Sequence, residues 1–98
     1  MKTYRIHDHR GNLVAPRATL EEAAHYLLTG NAHDYQIRQV DLFGYRLYRI
    51  NPDYEDFYTT QIFSIETDKE KATQDIFQQV LSHQGWFPYF IATELKGE

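Results

Sequence analysis

Apolar residues recur at helical spacing in two places along this chain and alternate with polar neighbours over most of the rest. Leu20, Ala23, Ala24 and Leu27 stand at i, i+3, i+4 and i+7, and Ala72, Ile76, Phe77, Val80 and Leu81 form a second stripe. Each stripe follows a pattern that starts helices. In Thr19-Leu20-Glu21-Glu22 the Thr19 hydroxyl can accept from the Glu22 amide while Glu22 reaches back, and Thr67-Asp68-Lys69-Glu70 offers the same reciprocal pairing. Gly30 is placed to stop the first helix, and the second must end before Gly85. Two one-sided helices need a sheet on which to bury their stripes.

The alternating segments supply it. Tyr4 and Ile6 face one way and Arg5 and His7 the other, followed by a turn from Asp8 to Gly11-Asn12 and the run Leu13-Val14-Ala15, a hairpin that Pro16 ends. Tyr35 and Ile37 alternate with Gln36 and Arg38, and Val40 and Leu42 then change phase, which suggests a bulge or a strand covered on both faces. Phe43-Gly44 reads as a turn, Tyr45 to Ile50 as the returning strand, and Phe57 to Ile65 as a third. Pro88 to Thr93 closes the chain with a short strand. The order is ββαβββαβ. The expected fold is a two-layer α+β domain spanning residues 1–98, its antiparallel or mixed sheet carrying both helices on one face.

Composition supports one domain and narrows its chemistry. Ninety-eight residues, 42% of them hydrophobic, suffice for a single core. The absence of Cys excludes disulfides, thiolate metal sites and a cysteine nucleophile. No apolar run approaches the roughly 18 residues of a membrane span. The opening MKTYRIHDHRGN lacks the apolar stretch of a signal peptide, so a cytoplasmic location with no membrane partner is expected. Residues 1–50 carry seven Arg and Lys against five acids, and residues 51–98 carry three Lys against nine acids. Every Arg lies in the first half. A net charge of −4 opposes non-specific DNA binding, which rests on phosphate neutralisation.

Catalytic and metal-binding patterns are sparse. His7 and His9 could project to one side of a strand end, but no further ligand stands at metal-binding spacing, so neither metal nor cofactor is expected. His25 follows Glu21 by four residues and reads as an exposed ion pair; His83 suits a helix C-terminus. Glu21 and Glu22 belong to a helix start, and Glu55 and Asp56 to a solvated loop, where neither carboxyl is raised for acid catalysis. No glycine-rich phosphate loop precedes a helix. The chain reads as a non-enzymatic binding module.

Two surfaces could bind. In the acidic, aromatic stretch from Asn51 to Tyr58, the residues Tyr54, Glu55, Asp56 and Tyr58 offer rigid ring area among carboxylates, with Arg46 and Tyr48 next, for contact with another protein, and an exposed strand edge could pair with a second copy of the chain as a homodimer. The alternative is single-stranded RNA or DNA held by Arg38, Arg46, Tyr48 and Arg49, rings stacking on bases and guanidinium groups meeting phosphate. Alternation places Arg46 and Tyr48 on one strand face and Tyr45, Leu47 and Arg49 on the other, so one group must cover the core. Trp86 and Phe90 read as core closure.

The run YRIHDHRGNLVAPRATLEEAAHYLL, with its Asp8…Gly11-Asn12 hairpin and capped Ala-rich helix, resembles the openings of small α+β accessory proteins carried by proteobacterial phages and plasmids. IFSIETDKEKATQDIFQQVL is similar further along, and together the two runs cover about half the chain. The shared pattern is one of turns and caps. The resemblance implies a fold, and a protein that acts by binding another, as anti-CRISPR inhibitors do; it carries no catalytic residues across.

Overall fold

The computed structural model describes residues 2–30, 33–51, 53 and 56–96, and their side chains except those of 56–60. The elements run β1 (Tyr4–Asp8), β2 (Leu13–Ala18), α1 (Leu20–Thr29), β3 (Asp34–Gln39), β4 (Tyr45–Asn51), β5 (Asp56–Ser64), α2 (Lys69–Ser82) and β6 (Phe90–Glu94). One 3-10 turn, Gln84–Trp86, leads into β6. This is an α+β fold in the expected order. The strands divide into two antiparallel sheets, β2-β1-β6 and β3-β4-β5, where a single sheet was expected. The second sheet is a meander of consecutive strands; the first is a hairpin that takes in β6 from the far end of the sequence.

Helices join what the ladders do not. Helix α1 packs on β1, β2 and β6 and also on β3, α2 packs on β4 and β5, and the helices pack on each other. Ile6, Ala23, Ala24, Leu27, Leu28, Leu47, Ile62, Ile76, Phe77, Val80 and Phe87 thereby share one core. The Cα trace measures 39 × 34 × 16 Å, the thickness of one helix layer on one sheet layer. No helix among the described residues is long and apolar enough to cross a membrane.

Local chemistry explains each boundary. The Asp8 carboxylate accepts from the backbone N–H of Arg10 and Asn12 (2.9 Å each) and from Asn12 Nδ2 (3.1 Å), and Gly11 takes φ 85° in the same turn. Three hydrogen bonds from this turn hold the Asp8 carboxyl below its ordinary value, the Asn12 amide contributing most. Strand β2 runs through Pro16 to Ala18, further than expected. It is an edge strand with a shifted register between Tyr4↔Ala18 and Ile6↔Ala15, and an edge bulge tolerates a residue without N–H. Thr19 and Glu22 form the expected capping box. At α2 the cap moves one residue on: Asp68, whose carboxylate makes a charge-assisted bond to the Lys71 N–H (3.1 Å), displaces Thr67.

Gly30 ends α1 with right-handed φ −61°, not the left-handed turn expected of a stop. Its lack of a side chain serves close approach, since a Cβ there would sit 2.8 Å from the Phe90 ring. The phase change after Gln39 is the end of β3: Val40 to Gly44 form a turn closed by Val40 N–H to Gly44 O (2.8 Å), with Asp41 at φ 56°. The bulge lies in β5 instead, where Gln61 takes φ 60° between Arg46↔Phe63 and Tyr48↔Thr59.

Candidate functional site

In the second sheet the pleat sorts the residues of β3 and β4 sharply. Tyr35, Ile37, Tyr45, Leu47 and Arg49 turn toward the helices, joined by Ile62 of β5. Asp34, Gln36, Arg38, Arg46, Tyr48 and Phe63 occupy the opposite face, which no helix among the described residues covers. Arg46 and Tyr48 therefore stand where a partner can reach them, and Arg38 joins them, its guanidinium 5.6 Å from the centre of the Tyr48 ring and its Nε donating to Gln36 Oε1 at 2.8 Å. Arg38 and Arg46 are direct cross-strand partners, an opposition of like charges that costs stability in a sheet.

Arg49 departs from this set. It is 8% exposed on the helix side, its guanidinium 5.2 Å from the centre of the Phe87 ring, so it is packed into the fold and away from the outer face. Tyr54 and Glu55 lie outside the described residues. Asp56 and Tyr58 belong to β5, in register with Asn51 and Arg49, and their side chains lie outside the described set.

At the Arg46 end the structure brings together residues that the sequence reading passed over. Phe43 is 76% exposed, Phe63 56% and Ile65 78%, and with Val40, Tyr45 and Arg46 they line a shallow pocket of about 170 Å³. Leu42 is exposed beside them in the chain. The turn that presents Phe43 is held by the Asp41 carboxylate, which accepts from the Phe43 N–H (2.8 Å), and by Gly44, whose φ of 150° and contact with the Ser64 carbonyl leave no room for a Cβ. A signal existed: Ile62 and Phe63 are adjacent on a strand, so only one of them can face the core. The outer face of the first sheet carries a lesser strip, His7 between Leu13 and Ile91.

A larger hollow of about 730 Å³ lies between β1, β6, the start of α1 and one side of α2. Tyr4, Leu81 and Ala92 contribute to its apolar lining, and Gln74, Gln78 and Gln84 contribute amides. Ser82 lines it too, but its hydroxyl donates to Gln78 O (3.0 Å). Among the described residues no three His, Asp or Glu side chains gather as a metal site. The His9 ring lies tilted against Tyr89 (4.7 Å between ring centres), and His83 contacts Gln79 O (2.9 Å) at the end of α2. His25 meets the Tyr35 hydroxyl (3.3 Å) in place of the expected pair with Glu21. Trp86 stacks on His83 and is 48% exposed; Phe87 is the residue that closes the core.

Comparison with protein-family models, with characterised proteins and with solved structures finds no match for this chain.

Proposed function

We propose that this protein is a non-enzymatic protein-binding module that engages its partner through the outer face of the second sheet. The observation that carries the reading is the exposed cluster of Phe43, Phe63 and Ile65 around a small pocket, with Arg46 at its rim and Tyr48 further along the same face. Large apolar side chains gathered on an uncovered face are costly in water and mark interaction sites. Arg and aromatic residues are the side chains that most often anchor an interface. An inhibitory role toward a host complex, in the manner of small mobile-element proteins, is one form such a module takes.

The test is capture of partners from nuclease-treated lysate by the tagged chain, beside the Phe63→Ser and Ile65→Ser variants. A stoichiometric protein lost with either variant, at unchanged melting temperature, supports the reading; capture indifferent to both removes this face.

A second reading, single-stranded nucleic acid, is favoured by Arg38 and Arg46 flanking Tyr48 on one face. It requires affinity for an oligonucleotide that falls steeply with salt. No binding at low salt ends it.

A further inference from the structure

The side chain of Gln84 reads extended backbone in this fold, meeting both the N–H and the C=O of Ala92. Two further glutamines, Gln74 and Gln78, line the same hollow of about 730 Å³, one turn apart on α2. Their side-chain amides make no hydrogen bond to a described residue. Four residues of helix rise about 6 Å, and alternate residues of an extended chain stand roughly 6.7 Å apart. The two amides are therefore spaced to meet successive like-facing residues of one strand. We propose that this hollow is a docking groove for a short, extended, basic segment of a partner protein, held chiefly through its backbone. It shares no residue with the outer face of the second sheet and is a second, separate site.

The first sheet adds backbone groups of its own. Leu95 N–H donates to Thr3 O (2.9 Å), which continues the register in which Tyr4 pairs with Glu94. Odd residues at this end of β6 therefore bond to β1, and even ones turn their N–H and C=O away from it. Of the even residues, Ala92 is met by Gln84. The N–H and C=O of Glu94 take no partner among the described residues, and Glu94 lines the hollow. A strand entering here pairs beyond the point at which Gln84 blocks the edge. Tyr4, Leu20 and Leu81 supply apolar lining for every second side chain of that strand.

Charge and size describe the rest of the occupant. The charged lining is Glu21 and Glu94 against Lys2, an excess of carboxylate in a chain of net charge −4. Neither carboxylate forms an ion pair with a described residue. A Lys or Arg side chain on the segment meets them, and an acidic segment is repelled. A cube of the hollow's volume has an edge of about 9 Å, the length of about three extended residues. So small a contact is transient, with a Kd on the order of 100 µM.

Titration of the nitrogen-15-labelled full chain with acetyl-Lys-Val-Lys-Val-Lys-Val-amide tests it, read by amide chemical shifts at about 150 mM salt. Shifts should centre on Gln74, Gln78, Leu81 and Glu94. Glu in place of each Lys of the peptide should weaken binding about tenfold. N-methylation of its two central amides, which keeps the side chains and removes backbone donors, should weaken it about fivefold or more. Gln74→Ala and Gln78→Ala, both at exposed helix positions, should each raise Kd about threefold. No shift at about 2 mM peptide, shifts centred elsewhere, or undiminished binding of either the Glu or the N-methylated peptide overturns the assignment. Phe63→Ser should leave the peptide Kd unchanged, and Gln78→Ala should leave capture through Phe63 unchanged. A peptide Kd that moves with Phe63→Ser overturns the separate site, whereas loss of capture through Phe63 alone bears only on the second sheet.

Discussion

The side-chain amide of Gln84 donates to Ala92 O at 2.8 Å and its Oε1 accepts from Ala92 N–H at 3.0 Å, so one glutamine occupies both outward groups of the middle residue of β6. Ala92 is the residue of β6 in register with Ile6, and β6 is an edge of the first sheet. The amide stands where a further strand would pair and blunts the edge against addition. Gln84→Ala should lower stability by about 1–3 kcal/mol, since two half-buried hydrogen bonds are lost and the edge is opened. The check is thermal unfolding, with light scattering for the increased self-association expected on warming.

The Asp8 turn should make the first hairpin sensitive to acid. Its carboxyl is held below the ordinary value of 3.8, chiefly by the Asn12 amide, so the folded state binds its proton less readily than the unfolded chain. The contribution is full above pH 3.8 and is lost as pH falls through the lower folded value. Wild type should exceed Asp8→Ala in melting temperature at neutral pH, and the gap should narrow progressively below that point. A constant gap in melting curves recorded from pH 7 to pH 2 refutes it.

Tyr35 should act at the opposite extreme. Burial, followed by the charges of Glu21 and Asp34, raises its phenol above the ordinary 10.0, so the fold favours the neutral ring that meets His25. The stability it contributes is present below pH 10.0 and declines as pH rises toward the folded value. Tyr35→Phe should flatten the alkaline limb of the stability profile while lowering stability slightly at neutral pH. Spectrophotometric titration should show one phenol ionising late in the wild type and missing from the variant.

Glycines 44 and 85 should respond very differently to one methyl group. A Cβ on Gly44 meets the Ser64 carbonyl and fixes a side chain at φ 150°, whereas one on Gly85 meets nothing within 4 Å. Gly44→Ala should cost about 2–4 kcal/mol and loosen the turn that presents Phe43. Gly85→Ala should stay within about 0.5 kcal/mol of wild type. Denaturant unfolding of the pair measures both.

Helix stripes and strand alternation were legible because each is set by neighbours close in sequence: the buried residues of α2, Ala72, Ile76, Phe77 and Val80, all belong to the stripe read from spacing. What stayed hidden depends on residues far apart. The pairing of Tyr4 with Glu94 and the division into two sheets are decided by packing under the helices, which no local pattern encodes. The side on which Arg49 packs stayed open for the same reason. Alternation puts it on the face opposite Arg46, but only the packing of both helices and Phe87 on that face makes it the inner one. Arg46, Tyr48 and Arg38 are legible as an alternation of rings and cations along neighbouring strands, whereas Phe43, Phe63 and Ile65 read only as turn and strand until strand pairing fixes which way they face.

Strand β1 holds the middle of the first sheet, with β2 on one side and β6 on the other. During synthesis the meander from Asp34 to Ser64 can assemble from contiguous chain, while Tyr4 must wait for Glu94. The first strand of this fold is thus among the last to be fully paired, with one flank of β1 open until β6 has been made. Nascent chains stalled before β6 would hold a finished second sheet beside an incomplete first one, and that is the state most exposed to chaperones and proteases.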